Sequence, residues 1–202
     1  MDPSSSSPGV ARESFLADGH GSGEGPCVDV VMAEPCIDVV VEDPRWHAAV
    51  PRVARLAQEA AEAALAEAGG TGGPVGGMVT VLLTDDRAVK RLNGLHRGKN
   101  KPTNVLSFPM VQPDLLATIS QNSDDGEVLL GDIILAHGVC VAEAAERGIS
   151  VEDHAMHLMV HGTLHLLGYD HIDDDEAEGM EQIERDALAA LGLHDPYVIT
   201  ED

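Results

Sequence analysis

The chain has 202 residues, a length that suggests one domain of ordinary size with a substantial core. Its 35 acidic and 12 basic residues give a formal charge of −23 at pH 7, which argues against a general nucleic-acid binder, because phosphate recognition depends on cations. No stretch approaches about eighteen consecutive apolar residues, and no basic segment followed by an apolar one opens the chain, so we expect neither a membrane span nor a secretory signal. The three cysteines show no Cys-x-x-Cys spacing, which is typical of free thiols in a reducing cytoplasm.

The N-terminal segment, residues 1–35, is rich in Ser, Gly, Pro and acidic residues and shows no sustained periodicity. Such a composition does not bury enough apolar surface to form a core, so we predict a disordered extension. A single domain is predicted for residues 36–195. Residues 196–202 are assigned to a C-terminal tail.

Short β-branched and apolar runs bounded by turn residues predict the strands of this domain. The predicted strands are residues 37–41, 78–84, 104–108 and 128–136. Between the third and the fourth, residues 112–127 are predicted to form a polar excursion on the surface.

Amphipathic patterns with a period of 3.6 residues predict helices between and after the strands. They cover residues 50–70, 85–95, 137–147, 150–167 and about 180–191. Ser150 is the predicted N-cap of the fourth helix, and the acidic run from Asp173 is expected to cap the last one. Four strands interleaved with about five helices predict an α+β domain, in which one small mixed sheet is covered by helices.

The basic residues are unevenly distributed. Six of the twelve lie within fifteen positions, namely Arg87, Lys90, Arg91, Arg97, Lys99 and Lys101. We predict that residues 94–101 form a basic loop. A cluster of this kind is commonly a solvated surface, but on so acidic a chain it is the one place where a polyanion can dock.

The run from His157 to His171 carries the strongest chemical signal. His161 and His165 stand at i and i+4, which places their imidazoles one turn apart on one face of a helix. Gly168 accepts the positive φ that ends a helix, so the chain can turn there and carry His171 back to the pair. Three histidines with an open fourth position are the ligands of a catalytic zinc ion, whereas a structural zinc is normally closed by four protein ligands.

Other histidines compete for this role. His157 lies four residues before His161, so these two could also form the pair, but only His165 has the glycine turn and His171 correctly placed after it. We interpret His157 and His154 as core residues or as groups that orient a ligand. We expect one zinc ion per chain, although imidazole also suits copper, iron and nickel.

The spacing of the three histidines equals that of the metzincin metalloproteases, His-Glu-x-x-His-x-x-Gly-x-x-His. Position 162, however, is glycine. Peptide hydrolysis by that pattern needs Glu at this position as the general base, so we regard a zinc metalloprotease as a poor interpretation of the pattern.

Residues 161–171, His-Gly-Thr-Leu-His-Leu-Leu-Gly-Tyr-Asp-His, resemble the signature of the YbeY family of metal-dependent endoribonucleases, also called ribosomal RNA maturation factors. Residues 92–109 and the Gly-Asp-Ile run at 131–133 match further family motifs in the same order. The resemblance covers residues 37–193 and implies that His161, His165 and His171 are zinc ligands. Asn100 departs from the family, which more often has Asp there.

The resemblance implies a single-strand-specific endoribonuclease that acts in 3′ end maturation of small-subunit (16S) ribosomal RNA and in ribosome quality control. The expected partners are single-stranded RNA and the ribosome or its proteins, in the cytoplasm. Arg97 corresponds to a functionally important basic residue of the family. With His161 we assign it a catalytic role, because a guanidinium grips phosphate oxygens bidentately, and Lys99 and Lys101 are expected to help bind the strand.

A different class of function is consistent with the same residues. The histidines and their metal could serve folding rather than catalysis, in a non-catalytic ribosome-assembly factor whose basic loop contacts RNA or a ribosomal protein. An open coordination position favours the enzyme.

Overall fold

The structure, a computed structural model, describes residues 35–70, 77–112, 114–116 and 128–198. All of these residues belong to one compact unit that spans residues 32–202. All but the last residue of the predicted N-terminal extension lies outside the described residues. Most of the predicted polar excursion at 112–127 and the end of the predicted C-terminal tail lie outside them as well.

Four strands form one mixed sheet, as the sequence predicts. They are Cys36–Val41 (β1), Met78–Thr84 (β2), Val105–Pro109 (β3) and Leu129–Ala136 (β4). The strand order is β1-β2-β4-β3, in which β1, β2 and β4 run parallel and β3 pairs antiparallel with β4. The parallel pairs require crossover connections, which helices supply.

Six helices have both ends within the described ranges. They are Arg45–Ala49 (α1), Val53–Gly70 (α2), Asp86–Arg97 (α3), His137–Arg147 (α4), Val151–Leu166 (α5) and Asp174–Ala190 (α6). The predicted helices correspond to α2–α6, whereas α1 was not predicted because five residues are too few to show a periodicity. None of the described helices is both long enough and apolar enough to cross a membrane.

The prediction that a basic loop begins at Gly94 was wrong, because α3 continues through this residue to Arg97. A glycine inside a helix costs only about 1 kcal/mol relative to alanine and does not by itself end the helix. The helix ends instead at Gly98, whose φ of 66° is left-handed and whose N–H donates to the Asn93 carbonyl. Arg97 therefore lies on the last turn of a helix.

Helices cover both faces of the sheet. The alternating residues of β4 belong to two hydrophobic clusters, Ile133 and Leu135 to the larger and Ile134 and Ala136 to the smaller. The larger cluster includes residues of α2, α5 and α6, and the smaller one includes Val89 of α3. Burial on both faces explains why β4 is an almost continuous apolar run.

The helix α5 packs against the sheet at very short range. Ser150 is the N-cap residue just before α5, and its side chain accepts a hydrogen bond from the Asp153 N–H at 2.9 Å. Near its other end, a Cβ at Gly162 would lie 2.8 Å from Ile133 Cγ2 and 3.1 Å from Ser107 Oγ. The absence of a side chain at position 162 therefore allows α5 to approach β3 and β4 closely.

The close approach at Gly162 generates a stability prediction. We expect Gly162→Ala to lower the free energy of unfolding by about 1–3 kcal/mol, because the added methyl overpacks the contact between helix and sheet. The matched control is Gly179→Ala on α6, where a Cβ would meet nothing within 4 Å. There the better helix propensity of alanine should raise stability by up to about 1 kcal/mol. Urea denaturation followed by circular dichroism measures both, and equal stability of the two variants would contradict the packing argument.

Candidate metal centre

Three histidines meet at the C-terminal end of α5. His161 and His165 lie on its last turns, and His171 follows the turn at Gly168, which has a φ of 88°. One nitrogen from each of the three imidazoles lies within 4.8 Å of the other two. The Nε2 atoms of His161 and His165 are 3.0 Å apart. The structure thus brings together the three residues predicted as ligands, on a helix and the turn that follows it.

Hydrogen bonds on the outer side of two rings orient the nitrogens that face the centre. His161 Nδ1 donates to Glu184 Oε1 at 2.7 Å, and His165 Nδ1 donates to the Tyr169 carbonyl at 2.9 Å. Because a neutral imidazole carries one proton, each Nε2 is left with a free lone pair. An outer hydrogen bond to a carboxylate or a carbonyl is the usual arrangement for histidines that bind metal ions.

Burial and exposure in the group suit an ion that remains accessible. Burial lowers the pKa of His165, and the neighbouring His161 lowers it further, so that the neutral form needed by a metal ligand is favoured. His161 and His165 are partly buried, whereas His171 is exposed. Within the described part of the chain no other His, Cys, Asp or Glu belongs to the group, so a bound ion would keep a coordination position open.

A buried carboxylate on α6, that of Glu184, was not predicted from the sequence. It is 1% exposed, and besides His161 it accepts hydrogen bonds from His157 Nε2, at 3.0 Å, and from the Tyr197 hydroxyl. Burial alone raises the pKa of Glu184, but the three hydrogen bonds outweigh burial and lower the pKa to about 2. A signal was present in the sequence, because position 184 falls within the apolar stripe of α6, where a charged residue needs a partner.

Tyr197 lies in the part of the chain that the sequence assigned to a C-terminal tail. Burial raises the pKa of its hydroxyl, and the hydrogen bond to Glu184 raises it further, so the hydroxyl keeps its proton and acts as a donor. The side chain of Tyr197 also lies beside the ring of His157, at a centroid distance of 5.9 Å.

The two histidines that compete with the predicted ligands have other partners. His157 donates to Glu184 and does not belong to the group that could hold a metal. His154 is 2% exposed, and its Nε2 lies 2.8 Å from a carboxylate oxygen of Glu143. Burial lowers the pKa of His154 even though Glu143 acts to raise it. His157 therefore contacts the centre through Glu184, and buried His154 belongs to a separate pair with the partly exposed Glu143.

Arg97, Lys99 and Lys101 lie on the surface at the end of α3 and in the segment after it. No described hydrogen bond or ring contact joins them to the three histidines. All six clustered cations are exposed, and none forms an ion pair with a described acidic residue. We call them the basic face, which comprises residues 87, 90, 91, 97, 99 and 101. The opposite side of α3 is buried through Val89 and Asn93.

Asn93 holds the segment that carries the two lysines. Its side-chain Nδ2 donates to the Lys101 carbonyl at 2.7 Å, and its backbone carbonyl accepts the N–H of Lys99 at 3.2 Å. The Lys101 N–H in turn donates to the Lys99 carbonyl at 2.9 Å. The buried side-chain amide of Asn93 therefore anchors the backbone at Lys101, and the Asn93 backbone carbonyl anchors it at Lys99.

The fold and the histidine group together define a class, namely α+β proteins in which a buried helix and the turn after it present three histidines that could hold a metal ion. The family model described as "Endoribonuclease YbeY" matches residues 41–192. The chain belongs to this family, as the three sequence motifs indicated.

Two sequence relatives agree with the family model, and one solved structure aligns over most of the chain. "Endoribonuclease YbeY" of Rhizorhabdus wittichii is 69% identical over 124 residues, which are 61% of this chain and 73% of that protein. The protein of the same name from Rhodospirillum rubrum is 48% identical over 157 residues, which are 75% of this chain and 76% of that protein. The solution structure of TM1509 from Thermotoga maritima aligns with a TM-score of 0.46 and 22% identity, covering 80% of this chain and 99% of that chain.

The anchoring of the basic segment by Asn93 can be tested by substitution. We expect Asn93→Ala to lower the free energy of unfolding by about 1 kcal/mol, since one buried hydrogen bond is lost. Amide hydrogen exchange at Lys99 and Lys101 should become faster. Asn100→Ala, an exposed site in the same segment, is the control and should change neither quantity. Unchanged exchange in Asn93→Ala would show that the segment does not depend on this side chain.

Proposed function

We propose that this chain is a zinc-dependent endoribonuclease that hydrolyses phosphodiester bonds in single-stranded RNA. The observation that carries the proposal is the convergence of His161 and His165 Nε2, with His171 beside them, in a chain of an endoribonuclease family. Family membership supports RNA as the substrate, and the donor set supports the metal.

The residues of the centre fit a zinc ion. His161, His165 and His171 would hold it through neutral imidazoles, two of which are already oriented by Glu184 and by the Tyr169 carbonyl. When bound, zinc lowers the pKa of a coordinated water molecule to about 7, which makes a nucleophile available at neutral pH.

The basic face supplies what phosphodiester cleavage needs besides a nucleophile. The guanidinium of Arg97 can bind two phosphate oxygens at once, and its fixed charge stabilises the negative charge that grows in the transition state. Lys99 and Lys101 bind the neighbouring phosphates of the strand as point charges. Because none of these side chains forms an ion pair with a described acidic residue, all three are available to a polyanion.

We assign the enzyme to maturation of the 3′ end of small-subunit ribosomal RNA and to ribosome quality control, in the cytoplasm. Membership in the YbeY endoribonuclease family supports this assignment. Its partners would then be ribosomal RNA and the ribosome or ribosomal proteins, reached through the basic face.

The packing of Gly162 argues against the metalloprotease alternative. A glutamate at this position would have to place its side chain where Ile133 and Ser107 already lie within about 3 Å of a Cβ. The general base that peptide hydrolysis requires is missing from position 162, and the side chains of Ile133 and Ser107 occupy the space that a glutamate there would need. The non-catalytic assembly factor differs from the proposed enzyme by its lack of RNA cleavage.

The first test is cleavage of an end-labelled single-stranded RNA by the purified protein, with the bound metal quantified. We expect the wild type to cut. His161→Ala should lose both the bound metal and RNA cleavage, because a metal ligand is removed. Arg97→Ala should keep its metal, but its cleavage rate should fall at least about 100-fold, the usual effect of removing one group that stabilises charge in the transition state. The controls, His47→Ala and Arg52→Ala, change exposed residues outside the site and should cut like the wild type.

Equal cutting by all variants would identify a contaminating nuclease. No cutting by any of them at full metal occupancy would overturn the enzyme and favour the assembly factor.

A second test concerns the way in which RNA binds. We expect Lys99→Ala with Lys101→Ala to lower the slope of log affinity against log salt concentration by about 1.4, at about 0.7 per lost phosphate contact on a single strand. The metal content should stay unchanged. Arg52→Ala with Arg55→Ala removes the same charge elsewhere and serves as the control. An identical slope in both double variants would show that net charge, and not the basic face, governs binding.

A further inference from the structure

The residues after α6 fold back onto the domain. Arg147 Nη2 donates to the Pro196 carbonyl at 2.6 Å, and the Arg185 guanidinium lies over the Tyr197 ring, 5.1 Å from its centroid. We call residues 195–198 the C-terminal strap. Two arginines on different helices, α4 and α6, thus hold the strap in place.

Within the strap, the Tyr197 hydroxyl reaches the buried carboxylate beside the histidines. It donates to Glu184 Oε2, the oxygen that also accepts from His157 Nε2 at 3.0 Å. The other oxygen, Oε1, accepts from His161 Nδ1 at 2.7 Å. The two oxygens of the Glu184 carboxylate therefore differ in their partners. Oε2 accepts from two donors that hold the carboxylate in place, and Oε1 accepts from His161, a predicted metal ligand.

We propose that Tyr197 is a positioning residue of the metal centre, which acts by locking the Glu184 carboxylate so that this carboxylate orients His161. The inference rests on the proposed function to the extent that the three histidines bind a metal ion. The strap then completes the centre, although it contributes no ligand.

The geometry explains why both donors on Oε2 are needed. A carboxylate rotates freely about its last torsion unless hydrogen bonds hold its plane. With the hydroxyl removed, Oε2 keeps His157 alone, and the group can turn away from the line between Oε1 and His161 Nδ1. The Glu184 carboxylate, which is 1% exposed, also loses a donor, and a buried acceptor that lacks a partner is unfavourable.

The variant Tyr197→Phe isolates the hydroxyl from the rest of the side chain. The phenyl ring keeps its contact with Arg185 and its place beside His157, so the strap stays bound. The matched control is Val198→Ala, which alters a side chain of the same strap that is 63% exposed.

The measurements are zinc affinity, by competition with a chelator, and the visible absorption spectrum of the cobalt-substituted protein. We expect Tyr197→Phe to lower zinc affinity about tenfold and to shift the cobalt bands, as outer partners of metal ligands typically do when removed. Glu184→Gln should have at least the same effect. Val198→Ala should match the wild type, and metal-free Tyr197→Phe should still unfold in one cooperative transition, at a temperature lowered only by the loss of one hydrogen bond.

The double variant separates positioning from general support. If Tyr197 acts through Glu184, adding Tyr197→Phe to Glu184→Gln should cause little further loss of affinity. Two results would overturn the role of Tyr197 while the proposed function stands. One is a fully additive loss of zinc affinity in the double variant. The other is a Tyr197→Phe variant whose zinc affinity and cobalt spectrum equal those of the wild type. If the wild type binds neither zinc nor cobalt, the proposed function fails and this inference fails with it.

Discussion

The carboxylate of Glu184 lies in the core with 1% of its side chain exposed, next to His157 and His161 of α5. A charge in such a place is tolerated only where donors replace the water that it has lost. Three donors do so, two from α5 and one from the strap, while the carboxylate itself belongs to α6. The packing of these segments and the orientation of His161 therefore depend on the same set of hydrogen bonds.

The position of α5 is fixed from a second side by the sheet. At Gly162 the backbone approaches Ile133 so closely that a methyl group does not fit without a shift, and at the adjacent residue, His161, the helix faces Glu184. A helix held in this way presents imidazoles in one orientation rather than many. Such preorganisation matters for a metal site, because the ligands then need little reordering when an ion binds.

The features that the sequence predicted well are those with local causes. The strands were placed to within one residue because β-branched runs end at turn residues, and His161 and His165 were paired because a helix brings i and i+4 together. Glu184 and Tyr197 were missed because their contacts are not local. Glu184 lies 23 residues from His161 and 13 from Tyr197 along the chain, and no periodicity reports such a contact. The end of α3 was misplaced because Gly94 and Gly98 look alike in sequence, and only the second has a left-handed φ.

The charge distribution adds a constraint on how a nucleic acid can approach. With a formal charge of −23 the chain as a whole repels a phosphate backbone, and the basic face is a local concentration of cations. At physiological salt the Debye length is about 8 Å, so a phosphate senses the cations only when it lies close to them. Under the proposed function, we therefore expect RNA to contact the exposed side of α3 and the segment anchored by Asn93. The acidic composition that argues against a general nucleic-acid binder is thus compatible with the proposed function only if RNA docks on the basic face.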